Sequence, residues 1–173
     1  MIELKEKSSD LLRVFVYGTL KPGEANYNIY CDRKVVNATK AYALGKLFAL
    51  PQGYPAMTSG DNYVYGYLLE FNCPDVLVEL DELEDYHPTR PASENLYNRQ
   101  QIEIYDLQGL SLGWAWVYLM TPEMVDQLGG IYQADGWWTN QINYEFFIIH
   151  NSSFIILNDI RFLYLTVVTA YPG

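Results

Sequence analysis

Thiol and imidazole chemistry have little to work with here: 173 residues contain two cysteines and two histidines. Cys31 and Cys73 stand far apart with no C-x-x-C spacing, so neither a disulfide framework nor a zinc site is expected, and a reducing cytoplasm is the expected location. His87 and His150 are too isolated to share a metal, and no metal or cofactor is expected. Basic residues are also scarce. Eleven Lys and Arg face 21 Asp and Glu, for a net charge of −10, which argues against a nucleic-acid partner. The acidic balance serves solubility and does not by itself imply a cationic substrate. Long apolar runs are missing as well. Between Phe146 and Val168 the apolar stretches are broken by His150, Asn151, Asn158, Asp159 and Arg161, so no membrane span is expected. Glu3, Lys5, Glu6, Lys7 and Asp10 leave no signal-peptide core near the start.

What the chain has is aromatic residues: 16 Tyr, 7 Phe and 4 Trp, which favour a β-rich fold and allow an aromatic-lined pocket. The length fits one domain with a substantial core. Residues 13–17 read as a strand that Pro22-Gly23 turns into a short helix over 25–34. Strands over 43–50 and 63–71 follow as neighbours in a meander, separated by Pro51, Gly53, Pro55 and Ser59-Gly60. Gly45 and Gly66 inside those strands mark a bulge, a bend or a close backbone approach. Residues 74–86 form a helix, with Pro74 at its first position, Asp75 near its positive end and His87-Pro88 as its stop. Strands over 96–107 and 112–120 flank a hairpin at Gln108-Gly109, and residues 122–128 form another short helix. In the second of these strands Trp114, Trp116 and Tyr118 share one face, and Ala115, Val117 and Leu119 the other. Trp137 and Trp138 either close the sheet or cover a pocket mouth. From residue 141 the composition shifts to Ile, Phe and Asn; this tail either adds strands, binds a partner or extends beyond the fold.

Two places can carry chemistry. A strand ending in Tyr17-Gly18-Thr19-Leu20 presents several N–H groups with nothing bulky at Gly18, a cradle for a carboxylate or a developing oxyanion. On the helix over 74–86, Val76, Leu77, Leu80 and Leu83 define an apolar face. Glu84 lies about 50° from the centre of that face and Glu79 about 90°, while Asp81, Glu82 and Asp85 lie beyond about 110° and are expected in solvent. Glu84 is thus the carboxylate best placed to look inward, where burial would raise its pKa toward acid–base work. A boundary glutamate on an amphipathic helix is the plainer alternative. Arg99 can bind a substrate carboxylate or serve as a structural ion-pair partner.

The run from Val16 through Tyr17-Gly18-Thr19-Leu20-Lys21-Pro22-Gly23, then Leu80-Asp81-Glu82-Leu83-Glu84, then Tyr97-Asn98-Arg99, resembles the gamma-glutamylcyclotransferase-like family, in the branch of gamma-glutamylamine cyclotransferase. The resemblance covers roughly residues 12–138. It implies an α+β fold, a small mixed β-barrel with short flanking helices, occupying residues 1–140 and leaving 141–173 as an extension. It also implies a γ-glutamyl amine or amide as small-molecule substrate, cyclised to 5-oxoproline. By the same resemblance Glu84 matches the catalytic glutamate, Tyr17, Gly18, Thr19 and Leu20 the substrate loop, and Tyr97 and Arg99 positions near the pocket. Asp85 stands where many relatives have glycine. The alternative from another class is a non-catalytic barrel that binds a small ligand through the Tyr17–Leu20 loop. Oligomeric state and the amine released are left open.

Overall fold

The computed structural model describes residues 11–140, so the expectations for residues 1–10 and for the tail from 141 onward lie outside the described residues. Chain order is β1 (Leu12–Val16), α1 (Tyr27–Tyr30), β2 (Val35–Ala49), β3 (Pro55–Phe71), α2 (Val76–Leu83), a 3-10 turn (Ala92–Glu94), β4 (Asn98–Tyr105), β5 (Ser111–Leu119), α3 (Pro122–Gln127) and β6 (Ile131–Tyr132). This is a mixed α+β fold with one six-stranded sheet. The strands run β3-β1-β5-β4-β2-β6, and β2 also pairs with β3, so five of them form a closed circuit. Two seams of the circuit are narrow: β1 meets β5 in parallel at Val14↔Trp116, and β2 meets β4 at Tyr42↔Tyr105 and Ala43↔Ile104. In place of the expected barrel, the strands make a closed circuit within one mixed sheet.

The long β2–β3 ladder replaces the two shorter strands expected at 43–50 and 63–71. Of the crowded turn signals between them, only those up to Gly53 make the turn; Gly53 takes φ 88°, a left-handed conformation that glycine adopts without a steric penalty. Pro55 instead opens β3. Ser59, Gly60 and Asp61 form a bulge, since Gly45 pairs with Asn62 and Lys46 with Thr58. Gly66 permits a close crossing: a β-carbon there would lie 2.2 Å from the Val16 carbonyl oxygen.

Both faces of β1 are covered, which explains its unbroken apolar run. Val14 and Val16 join a core with Leu69, Phe71, Val76 and Leu80, under α2. Phe15 and Tyr17 join a second core with Leu47, Met57, Val117 and Trp138. The alternation read in β5 sorts accordingly: Ala115, Val117 and Leu119 enter the second core, while Tyr118 enters the first and Trp116 packs against it.

Three helix expectations change. The helix expected over 25–34 is a single turn, Tyr27–Tyr30, because the chain from Cys31 to Lys34 curls into hydrogen-bonded turns before β2. Helix α2 starts at Val76 with Asp75 as its N-cap, so Pro74 precedes the helix rather than opening it. It stops at Leu83, ahead of His87-Pro88. Asp85 adopts φ 48°, and the Tyr86 N–H donates to the Asp81 carbonyl at 2.9 Å, a left-handed C-terminal motif that normally takes glycine. Arg90 holds Asp85 there, donating to its carboxylate at 2.8 Å and to its carbonyl at 2.5 Å. Helix α3 matches the expected segment closely, with the Thr121 hydroxyl capping the Met124 N–H at 3.2 Å.

Candidate active site

Helix α2 ends where β1 ends. Leu83 and Glu84 at the helix C-terminus line a cavity of about 260 Å³ together with the loop from Tyr17 to Leu20, Tyr54, Pro55 and Tyr97. The apolar stripe of α2 fixes this placement: Val76 and Leu80 are fully buried, and Glu84 follows one turn after Leu80 on nearly the same side. Glu84 is half-buried, and desolvation raises its carboxyl pKa to about 7. The neutral and charged forms are then both populated near neutral pH, which suits a group that takes and returns a proton.

The loop supplies donors. Lys21 N–H closes a turn onto Gly18 O at 3.0 Å and Asn26 N–H donates to Thr19 O at 2.9 Å, while the N–H groups of Gly18, Thr19 and Leu20 meet no acceptor among the described residues. Gly18 is needed for packing as well as access, since a β-carbon there would sit 2.6 Å from Pro55 Cγ.

The tyrosines are walls rather than acids. Tyr17 donates its hydroxyl to the Tyr118 carbonyl at 2.7 Å and accepts from the Met57 N–H at 3.2 Å. Tyr97 donates to the Pro55 carbonyl at 2.6 Å. Burial, with the nearby Glu84 carboxylate as a lesser cause, holds both phenols well above their ordinary pKa, so their protons stay on these bonds. Both tyrosines line the cavity with Glu84, and their hydroxyls hold the Tyr118 and Pro55 carbonyls.

Arg99 does not line this cavity. It bonds Asp81 at 2.6 Å and lies 4.8 Å from the Trp116 ring centre and 5.2 Å from that of Tyr86. The structural ion-pair reading of Arg99 is the one its contacts satisfy. Asp81 is accordingly not solvated as expected: its other oxygen accepts from the Tyr118 hydroxyl at 2.7 Å. Helical periodicity places Asp81 away from the stripe of its own helix but is blind to the sheet that covers that side.

Other neighbours escaped the sequence reading. Asn26, seven residues after Thr19, is folded back onto it by the Pro22-Gly23 turn and lines the cavity. Lys21 is buried, with its ammonium donating to the Trp138 carbonyl and lying 3.6 Å from the centre of the Trp137 ring. Desolvation lowers its pKa to about 8. Its position directly after the loop was the available signal. His87 is exposed and bonds Thr89 outside the cavity.

Residues 14–140 match the profile of the family described as gamma-glutamyl cyclotransferase, AIG2-like. The chain belongs to this family. A gamma-L-glutamyl-butirosin B gamma-glutamyl cyclotransferase from Niallia circulans is 33% identical over 105 residues, a match that takes in 61% of this chain and 65% of that relative, just under two thirds of its length. Among solved structures, an AIG2-like protein from Mus musculus superposes with TM-score 0.54 at 23% identity, over 75% of this chain and 88% of its own. YkqA from Bacillus subtilis superposes with TM-score 0.53 at 23% identity, over 74% of this chain and 39% of its own. At these identities the two structures show the shared fold. Family membership and fold agree with the three ordered motifs, which fall at the cavity (the loop, Glu84 and Tyr97) and against Asp81 of α2 (Arg99).

Proposed function

We propose that this protein cyclises a γ-glutamyl amine or amide to 5-oxoproline and releases the free amine. The observation that carries the reading is one cavity shared by a carboxyl with a pKa near 7 and a loop of unengaged N–H donors. The substrate's own α-amine is the nucleophile, so no Ser, Cys or His is required. Holding it against the γ-carbonyl makes five-membered ring closure a matter of proximity and orientation. Glu84 accepts a proton from the α-ammonium, and the freed amine forms the new C–N bond at the γ-carbon. The tetrahedral oxyanion is held by N–H groups of the loop, worth about 3–4 kcal/mol per donor. Glu84 then returns its proton to the leaving nitrogen, the old C–N bond breaks, and the surplus proton on the ring nitrogen passes through Glu84 to the released amine, which departs as an ammonium.

The cyclotransferase from Niallia circulans, named for gamma-L-glutamyl-butirosin B, supports a γ-glutamyl substrate. The test is a panel of γ-glutamyl amines, amino acids and peptides with 5-oxoproline as the measured product. Release is expected from at least one member, and Glu84→Gln is expected to abolish it. Full turnover by the Gln variant would refute Glu84 as the base. Binding without turnover across the whole panel would favour a ligand-binding role instead.

A further inference from the structure

The Thr19 hydroxyl is poised by a neighbour. Asn26 donates from Nδ2 to Thr19 Oγ1 at 3.0 Å, while its backbone N–H donates to Thr19 O at 2.9 Å, so one residue grips both polar atoms of Thr19. A hydroxyl has one proton and two lone pairs. With a lone pair filled by the Asn26 amide, the proton is left to be given away, and no acceptor takes it among the described residues. Both side chains line the cavity, and Thr19 is only half-buried.

We propose that Asn26 is a positioning residue that commits the Thr19 hydroxyl to donating into the cavity. The inference rests on the functional reading above for its ligand. The hydroxyl joins the N–H groups of Gly18, Thr19 and Leu20 in a rim of donors, which takes an oxygen of the glutamyl group that is retained in 5-oxoproline. A rim built only of donors binds an anionic or carbonyl oxygen and rejects an ammonium, so the loop reads which end of the substrate enters against it.

The test measures binding of 5-oxoproline by calorimetry, beside turnover of the best panel substrate, in the full chain. Thr19→Val is expected to weaken binding about tenfold, and Thr19→Ser, which keeps the hydroxyl, to stay within about twofold of wild type. Asn26→Ala frees the hydroxyl to rotate and is expected to weaken binding about threefold to tenfold in the wild-type background but not in the Thr19→Val background. A purely structural role for Asn26 would weaken binding equally in both backgrounds and would overturn the inference. Unchanged binding in Thr19→Val would overturn it alone, leaving the functional reading intact. Wild-type protein that neither binds 5-oxoproline nor releases it would overturn the functional reading and this inference together.

Discussion

Glu84 links catalysis and stability through a single proton. Its folded pKa, about 7, lies above the ordinary 4.5 of a glutamate, so the native state binds that proton more tightly than the unfolded chain does. Its contribution is therefore fully favourable below about pH 4.5 and is lost as pH rises through 7. Glu84→Gln keeps the shape without the charge, and is expected to be more stable than wild type by about 3 kcal/mol at pH 8, with no difference near pH 4. Urea unfolding at the two pH values checks this. On the proposed mechanism the same proton sets the acid limb of kcat/KM, expected near pH 7, rising as Glu84 becomes free to accept; a limb near 4.5 would mean that the carboxyl is solvated during turnover. The inward placement of Glu84 was legible because α2 has a clean apolar stripe. The placement of Arg99 was not, because its partner Asp81 lies on another element.

Helix α2 is held at its C-terminal end by two devices. The first is the left-handed turn at Asp85. Asp85→Ala is expected to destabilise by about 1–2 kcal/mol, since it removes both the short polar side chain that tolerates this conformation and the pair with Arg90. Asp85→Gly should cost less than Asp85→Ala, because glycine recovers the backbone term that alanine loses. Chemical denaturation of both variants gives the ordering, and the reverse order would deny the backbone's control. The second device is the Asp81–Arg99 pair, with both side chains under one-fifth exposed. Arg99→Met leaves the Asp81 carboxylate half-buried with only the Tyr118 hydroxyl, at an expected cost of about 2–3 kcal/mol. The double variant Asp81→Asn with Arg99→Met should lose less than the sum of the single changes, as measured by a double-mutant cycle. The full extents of β2 and β3 could not be read locally: Pro51, Gly53, Pro55 and Ser59-Gly60 all signal turns, and only pairing decides which becomes the turn and which the bulge.

Among the described residues, two cores share β1 and β5, and at Gly66 the backbones of β1 and β3 leave no room for a β-carbon. Gly66→Ala would drive a methyl into the Val16 carbonyl, and is expected to cost more than about 3 kcal/mol or to abolish soluble expression. A melting temperature within a degree of wild type would contradict that contact. The family match ends at residue 140, and we propose that residues 1–140 form the working domain. Truncation after Asn140 is then expected to leave 5-oxoproline release unchanged. The closed circuit of strands has a further consequence, in the time domain of amide exchange. Its wide β2–β3 ladder and its narrow β1–β5 seam cannot open at the same free energy, because local opening is cheapest where the fewest backbone bonds must break. Deuterium should enter the seam beside Val14 and Trp116 well before it enters the ladder. The loop hangs from the end of β1, so a ligand held there should slow exchange at the seam and leave the ladder untouched.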